Sequence, residues 1–163
     1  MVELSMLTQV EIFEGLSKPQ LEKLAAISHE VEYSQGDIVF RENMPGDSMY
    51  IVLDGEVEIL VDMGILGADM PNEARPAPIT VIRRGQSFGE VALVDAGVRS
   101  ASAVCTSVRV HLLAIPRKSF LEVCQRNPSI GYRVMFNIAA DLSGRIRTTD
   151  FMLRGRLLLG SRD

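Results

Sequence analysis

The chain of 163 residues has only two cysteines and two histidines, and that scarcity excludes several chemistries at once. Cys105 and Cys124 are too few and too far apart for a disulfide framework or a zinc cluster. They read instead as two small buried hydrophobes in a reducing compartment. His29 and His111 lack the companions of a metal site, which disfavours a metal-dependent barrel enzyme needing several histidines and a glutamate. No uncharged stretch approaches the ~18 apolar residues of a membrane span. The start, Met1-Val2-Glu3-Leu4-Ser5, has neither the basic stretch nor the apolar block of a secretory signal. Basic residues are in the minority, 17 against 21 acidic, for a net charge of -4. That balance argues against a surface built to neutralise nucleic-acid phosphates. Internal repeats and low-complexity tracts are missing too. The expectation is a soluble, cytoplasmic protein.

What remains is ordinary globular material, 47% hydrophobic and 23% charged, at a length that suits one domain with a terminal extension. Its periodicity divides it in three. Across residues 7–30, Leu16, Leu21, Leu24, Ala25 and Ile27 recur at helical spacing. Ser17 before Lys18-Pro19 supplies a cap and a first-turn proline, so one or two short helices are expected. Residues 31–115 switch to short strands at 37–41, 48–53, 56–61, 79–82, 101–105 and 108–115, with glycines at the corners. Asp54-Gly55 between two of them reads as a hairpin turn. The Gly- and Pro-rich segment 62–78 reads as a long hairpin loop. This pattern points to a β-sandwich or a small barrel.

Residues 116–148 return to helical spacing: a short helix over 117–126, stopped at Asn127-Pro128, then a long one from Ser129. Ile130, Val134, Ile138, Leu142 and Ile146 step by four, with Tyr132, Phe136 and Ala140 on an adjacent stripe. A face that wide predicts a helix covered on more than one side. The last segment, 149–163, reads as a helical extension or tail. Over the C-terminal stretch 145–163, Arg145, Arg147, Arg154, Arg156 and Arg162 outnumber Asp150 and Asp163, beside Leu153 and Leu157-Leu158-Leu159. It is either a solvated, frayed helix or a surface for an acidic partner or a second protomer.

The chemistry concentrates between two strands, in Phe88-Gly89-Glu90-Val91-Ala92-Leu93 and, after Ala96-Gly97, in Arg99-Ser100-Ala101. Gly89 lets backbone approach a ligand that a Cβ would block. Val91-Ala92-Leu93 suits one helical turn whose free N–H groups face an anion. Arg99 offers a fork matched to phosphate, and Ser100 adds a hydroxyl donor. Glu90 would repel an anion, and makes sense as an acceptor for a sugar hydroxyl or as a structural partner of Arg99. No nucleophile paired with a base is visible, so an enzyme is not expected.

This ordered series resembles the phosphate-binding cassette of cyclic nucleotide-binding domains. Those domains occur in catabolite activator proteins, regulatory subunits of cAMP-dependent kinase and cyclic-nucleotide-gated channels. Phe13-Glu14-Gly15-Leu16-Ser17, Gly36-Asp37-Ile38-Val39-Phe40-Arg41-Glu42 and the run from Gly46 to Val57 resemble other recurrent segments of the family.

The resemblance implies a domain over 1–148: an eight-stranded, jelly-roll-like β-roll with N-terminal helices and a C-terminal lid helix. It further implies a non-enzymatic sensor for a cyclic mononucleotide, cAMP or cGMP with cAMP ahead, which is a ligand and not a cofactor. Arg99 would hold the cyclic phosphate, with Ser100 touching it and Ala101 beside it, and Glu90 would hold the ribose 2′-hydroxyl. Phe88 borders the site, and the backbone of Gly89, Val91 and Ala92 would donate to sugar and phosphate oxygens. The lid departs from the family, because Asp141 and Arg145 stand where an arginine and then a threonine or apolar residue are usual. Asp141 removes a cationic contact. Arg145 is either a base contact or a solvated position. Only 15 residues follow Thr148, against about 70 for a winged helix-turn-helix, so DNA binding is not expected. The implied partners are an effector protein and a second copy paired through the C-terminal helix. The alternatives are a nucleotide-independent scaffold on the same roll and a receptor for a cyclic dinucleotide.

Overall fold

The structure, a computed structural model, describes residues 4–62, 76–94 and 97–160, without the side chains of 92, 153 and 155–160. Among the described residues, eight strands form two four-stranded antiparallel sheets. One carries β1 (His29–Ser34), β8 (Arg109–Pro116), β3 (Ser48–Asp54) and β6 (Ser87–Phe88), in that order. The other carries β2 (Ile38–Phe40), β7 (Ser102–Cys105), β4 (Val57–Val61) and β5 (Ala77–Ile82). First strand pairs with last, second with seventh, third with sixth and fourth with fifth. The chain is therefore folded in half once and the doubled ribbon rolled up, which is the jelly-roll solution to covering sheet edges.

Two sequence expectations change here. Asp54-Gly55 is not a hairpin turn: β3 and β4 lie in different sheets, and Gly55 is the corner between them. Its φ is +82°, and a Cβ there would sit 2.6 Å from the Arg109 carbonyl oxygen, so only glycine makes the corner without strain. Strands β1 and β6 join the expected set, with β1 beginning at His29, inside the segment assigned to helix. The hairpin flanking the expected 62–78 loop is present, since β4 and β5 pair with Val61 opposite Ala77. Residues 63–75 of that loop lie outside the described residues.

The sheet containing β3 and β8 is apolar on both faces, and alternation sorts its side chains into two cores. Val52, Val110 and Leu112 point into the roll, where they meet Val57, Ile82, Phe88, Ala103 and Cys105. Met49, Ile51, Leu53, Leu113 and Ile115 point the other way, towards the helices. There α1 (Leu4–Leu7), α2 (Lys18–Ala25), α4 (Arg117–Arg126) and α5 (Pro128–Gly160) supply Leu7, Leu21, Leu24, Phe120, Ile130, Val134 and Ile138. Ser17 precedes α2 as expected, and its backbone N–H donates to Gln20 Oε1 at 2.8 Å. Burial drives the pKa of the Cys105 thiol up to about 11, which keeps this free cysteine an inert core residue at neutral pH.

Helix α5 runs on past residue 148 to Gly160 as one element. Ile130, Val134 and Ile138 are its buried stripe, and Asn137 fixes its rotation by donating to the Ile12 and Glu14 carbonyls at 3.1 and 2.9 Å. The adjacent stripe does not behave as its hydrophobicity suggests. Tyr132 is 69% exposed and Phe136 56%, the two rings stacked on each other in solvent, and Ile146 is exposed as well. One side of this helix is covered by the domain and the other is not. The side chains of Leu153 and 157–159 lie outside the described residues.

This orientation sets a contrast for urea unfolding. Ile138→Ala is expected to cost about 2–5 kcal/mol, as a truncation in a packed core. Phe136→Ala is expected to stay within about 0.5 kcal/mol, as a change on an uncovered surface.

Candidate functional site

Between the roll and α5 lies a cavity of about 910 Å³. Its polar end is the segment from β6 to β7, which contributes Phe88, Gly89, Glu90, Val91, Arg99, Ser100 and Ala101. Its apolar wall comes from β4 and β5, through Ile59, Ile79 and Ile82. Helix α5 closes the remaining side with Asp141, Leu142, Arg145, Thr148, Thr149 and Met152. The sequence-predicted residues are thus brought together on one cavity. Ala92 lies in the adjacent turn of helix α3 (Val91–Val94), and its side chain is outside the described residues, as are Asp95 and Ala96 of the expected tight turn.

Gly89 leads into this site at φ +72°, and a Cβ there would fall 2.7 Å from Arg99 Nη1. Absence of a side chain at 89 is what lets the guanidinium lie against the backbone. Beyond it the α3 turn is pinned by Leu93, which is buried and donates its N–H to the Glu90 carbonyl at 2.9 Å. Arg99 is held from both sides of its own backbone: its N–H donates to the Met44 carbonyl at 2.8 Å, and its carbonyl accepts from Asn43 N–H at 2.9 Å.

The Arg99 side chain is the main electrostatic feature. It is only 5% exposed. Nη2 donates to the Ser48 carbonyl at 2.6 Å and Nη1 to the Gly89 carbonyl at 3.3 Å. Its carbon lies 4.0 Å above the Phe40 ring, which packs with Tyr50 and Phe88 in an aromatic trio. The buried Nε has no protein partner among the described residues. Burial pulls the guanidinium below its usual pKa, an effect opposed by Tyr50 and by the acidic residues Asp47 and Glu90. An arginine starts so high that it remains a cation. Among the described residues no carboxylate lies within ion-pair distance of it. A buried cation satisfied only by carbonyls is a site that favours an anion.

Glu90, 3% exposed, does not pair with Arg99. Its Oε1 accepts from Arg145 Nη1 at 2.9 Å, across from α5. The same arginine sends Nη2 to Asp141 Oδ2 at 2.8 Å, one helical turn back. Arg145, half-exposed at the cavity, is a fork bridging two carboxylates. Asp141, which looks in sequence like a lost cation, recruits one. The i,i+4 spacing of Asp141 and Arg145 was visible in sequence, but the third member of the chain was not. Phe40 and the Ser48 carbonyl also escaped sequence reading, since neither belongs to the segment that carries the motif. His111 Nε2 lies 3.0 Å from Glu30 on the outer face of the sheet, and no cluster that could hold a metal ion occurs among the described residues. Nor is any described helix long and apolar enough to cross a membrane.

Known proteins resemble this chain in sequence and fold. The family profile described as "Cyclic nucleotide-binding domain" matches residues 30–127. A cGMP-dependent protein kinase of Caenorhabditis elegans is 29% identical over 117 residues, covering 72% of this chain and 14% of the kinase. The cyclic AMP receptor protein of Thermus thermophilus is 29% identical over 143 residues, covering 87% of this chain and 60% of the receptor. The crystal structure of the Thermus thermophilus catabolite activator protein aligns with a TM-score of 0.73 at 28% identity, covering 88% of this chain and 62% of that one. The chain thus spans less than two thirds of the length of each of these relatives. Since the profile covers more than half of the sequence and falls on the roll that builds the cavity, the chain belongs to the cyclic nucleotide-binding domain family.

Proposed function

We propose that this chain is a non-catalytic receptor for a cyclic mononucleotide, cAMP in preference to cGMP, and that it signals through α5. One observation carries the reading: Arg99 is a buried guanidinium on the cavity wall with, among the described residues, an unpartnered Nε and no carboxylate paired to it. A monoanionic cyclic phosphate supplies the missing charge and an acceptor for that N–H. Ser100 and the backbone N–H groups of Gly89, Val91 and Ala92 donate to phosphate and sugar oxygens, with Ala101 and Phe88 shaping the floor. Glu90 accepts from the ribose 2′-hydroxyl. The apolar residues of β4 and β5 then receive the base. The preference for cAMP is supported by the similarity to a cyclic AMP receptor protein, which extends over 87% of this chain.

Signalling follows from what α5 touches. The helix closes one side of the cavity through Arg145 and is rooted at its other end in the helical core through Ile130, Val134 and Ile138. A ligand that tightens the cassette against Arg145 changes the position of α5, to the extent that it binds the two positions with different affinity. The exposed stripe of Tyr132, Phe136 and Ile146 on the same helix suits pairing with a second copy or docking of an effector protein.

Calorimetric titration with cAMP, cGMP and a cyclic dinucleotide tests the reading. The parent protein is expected to bind cAMP most tightly. Arg99→Ala is expected to weaken that binding by at least about a hundredfold, since it removes charge-assisted hydrogen bonds from a desolvated site. Equal binding by parent and variant would refute the assignment of the phosphate, and no heat with any of the three would favour a nucleotide-independent scaffold. Gly89→Ala is a second test, because its strained Cβ displaces the guanidinium without deleting it. It is expected to lose at least about tenfold in affinity, and about 1–2 kcal/mol in stability by thermal melting, as an L residue held at positive φ.

A further inference from the structure

We propose that Asp141 is a positioning residue for the ribose end of the cavity: it holds Arg145 in place so that Arg145 fixes the buried carboxylate of Glu90. The proposal rests on the reading of Glu90 as the acceptor for a ribose 2′-hydroxyl. Its basis is a continuous chain of charges. Asp141 Oδ2 and Arg145 Nη2 are 2.8 Å apart, and Arg145 Nη1 and Glu90 Oε1 are 2.9 Å apart. The two terminal nitrogens of one guanidinium are thus shared between two carboxylates from different parts of the fold.

The three members differ in burial, and that difference assigns their roles. The Glu90 side chain is 4% exposed, Asp141 29% and Arg145 48%. A nearly buried carboxylate is costly to keep ionised without a cation beside it. The cation that serves it stands on a long side chain, half in solvent, which gives up rotamer freedom to stay there. A single contact with Glu90 would leave that side chain free to swing outward. The second grip, from a carboxylate one turn earlier on the same helix, selects the rotamer that reaches Glu90 before any ligand arrives. The pair engages Glu90 through Oε1, which leaves Oε2 outside the bridge and fixed in direction. Fixing an acceptor in advance lowers the cost of ordering it when a hydroxyl donor binds. Asp141 therefore acts through Arg145 and Glu90, and its influence reaches only as far as the 2′-hydroxyl.

Calorimetric titrations with cAMP, cGMP and their 2′-deoxy analogues test this on the full chain, with thermal melts confirming that each variant is folded. The parent is expected to favour the ribo form. Asp141→Asn and Arg145→Gln are each expected to weaken binding of the ribo nucleotide about five- to tenfold. Asp141→Asn should leave the 2′-deoxy analogue at its parental affinity, and Asp141→Glu should keep most of the parental affinity for the ribo form. If Asp141→Asn weakens ribo and deoxy ligands equally, Asp141 acts on the helix as a whole and the proposal is overturned. It is also overturned if Asp141→Asn matches the parent on every ligand; in both of those cases the receptor reading stands. A parent that binds ribo and deoxy forms equally removes the role of Glu90 and this proposal with it. A parent that binds none of the four overturns the receptor reading itself.

Discussion

A guanidinium that has left water without gaining a carboxylate is the constraint around which the rest of the site is arranged. Arg99 is buried against Phe40 and held by two backbone carbonyls, from Ser48 and Gly89. Carbonyl dipoles and an aromatic face soften the cost of burying a cation but do not cancel its charge. Glu90, which could have neutralised it, is turned instead towards Arg145. The positive charge on the cavity wall is thus left without a paired carboxylate among the described residues, and the fold bears the cost of keeping it. That cost explains why the surroundings are so firmly determined: a glycine at 89 where a Cβ would meet the guanidinium, an aromatic trio beneath it, and backbone hydrogen bonds on both sides of residue 99.

The architecture supplies the rigidity. Rolling the chain as a doubled ribbon places the segment between β6 and β7 beside the loop that carries Asn43 and Met44 and beside Ser48 at the start of β3, three residues that hold Arg99. The sheet of β1, β8, β3 and β6 is apolar on its outer face as well as its inner one, and so welds the roll to the helices. Helix α5 links those two regions. Its first turns are part of the helical core, and its later turns reach Glu90 across the cavity mouth. The cassette thus touches, through Glu90, a helix whose other face carries the exposed Tyr132, Phe136 and Ile146.

Much of this was legible in the sequence because its signals are local. Gly89, Glu90 and Arg99 announce themselves by residue type and spacing, and the structure lines one cavity with all three. The change of period at 116 marks where β8 gives way to α4. The misreadings share a different cause. A glycine with positive φ serves a hairpin and a sheet-to-sheet corner equally well, and only the partners of β3 and β4 tell Gly55 which it is. Strand β6 is two residues long and β1 is rich in charge, so neither shows a period strong enough to read. Tyr132 and Phe136 look like core residues by type, and nothing in a single chain says which apolar face is left outside. Arg145 was singled out, but its partner Glu90 is 55 residues away, a pairing that only the folded chain reveals.

The central claim, that the charge of Arg99 is reserved for a cyclic phosphate, is tested most directly at the one atom of that side chain without a partner. In a nitrogen-15 NMR titration with cAMP, the Arg99 Nε–H resonance, assigned by its loss in Arg99→Lys, should move downfield as the proton gains a phosphate oxygen. It should do so in step with ligand occupancy. If cAMP binds while that resonance stays where it was, the phosphate lies elsewhere and the account is wrong.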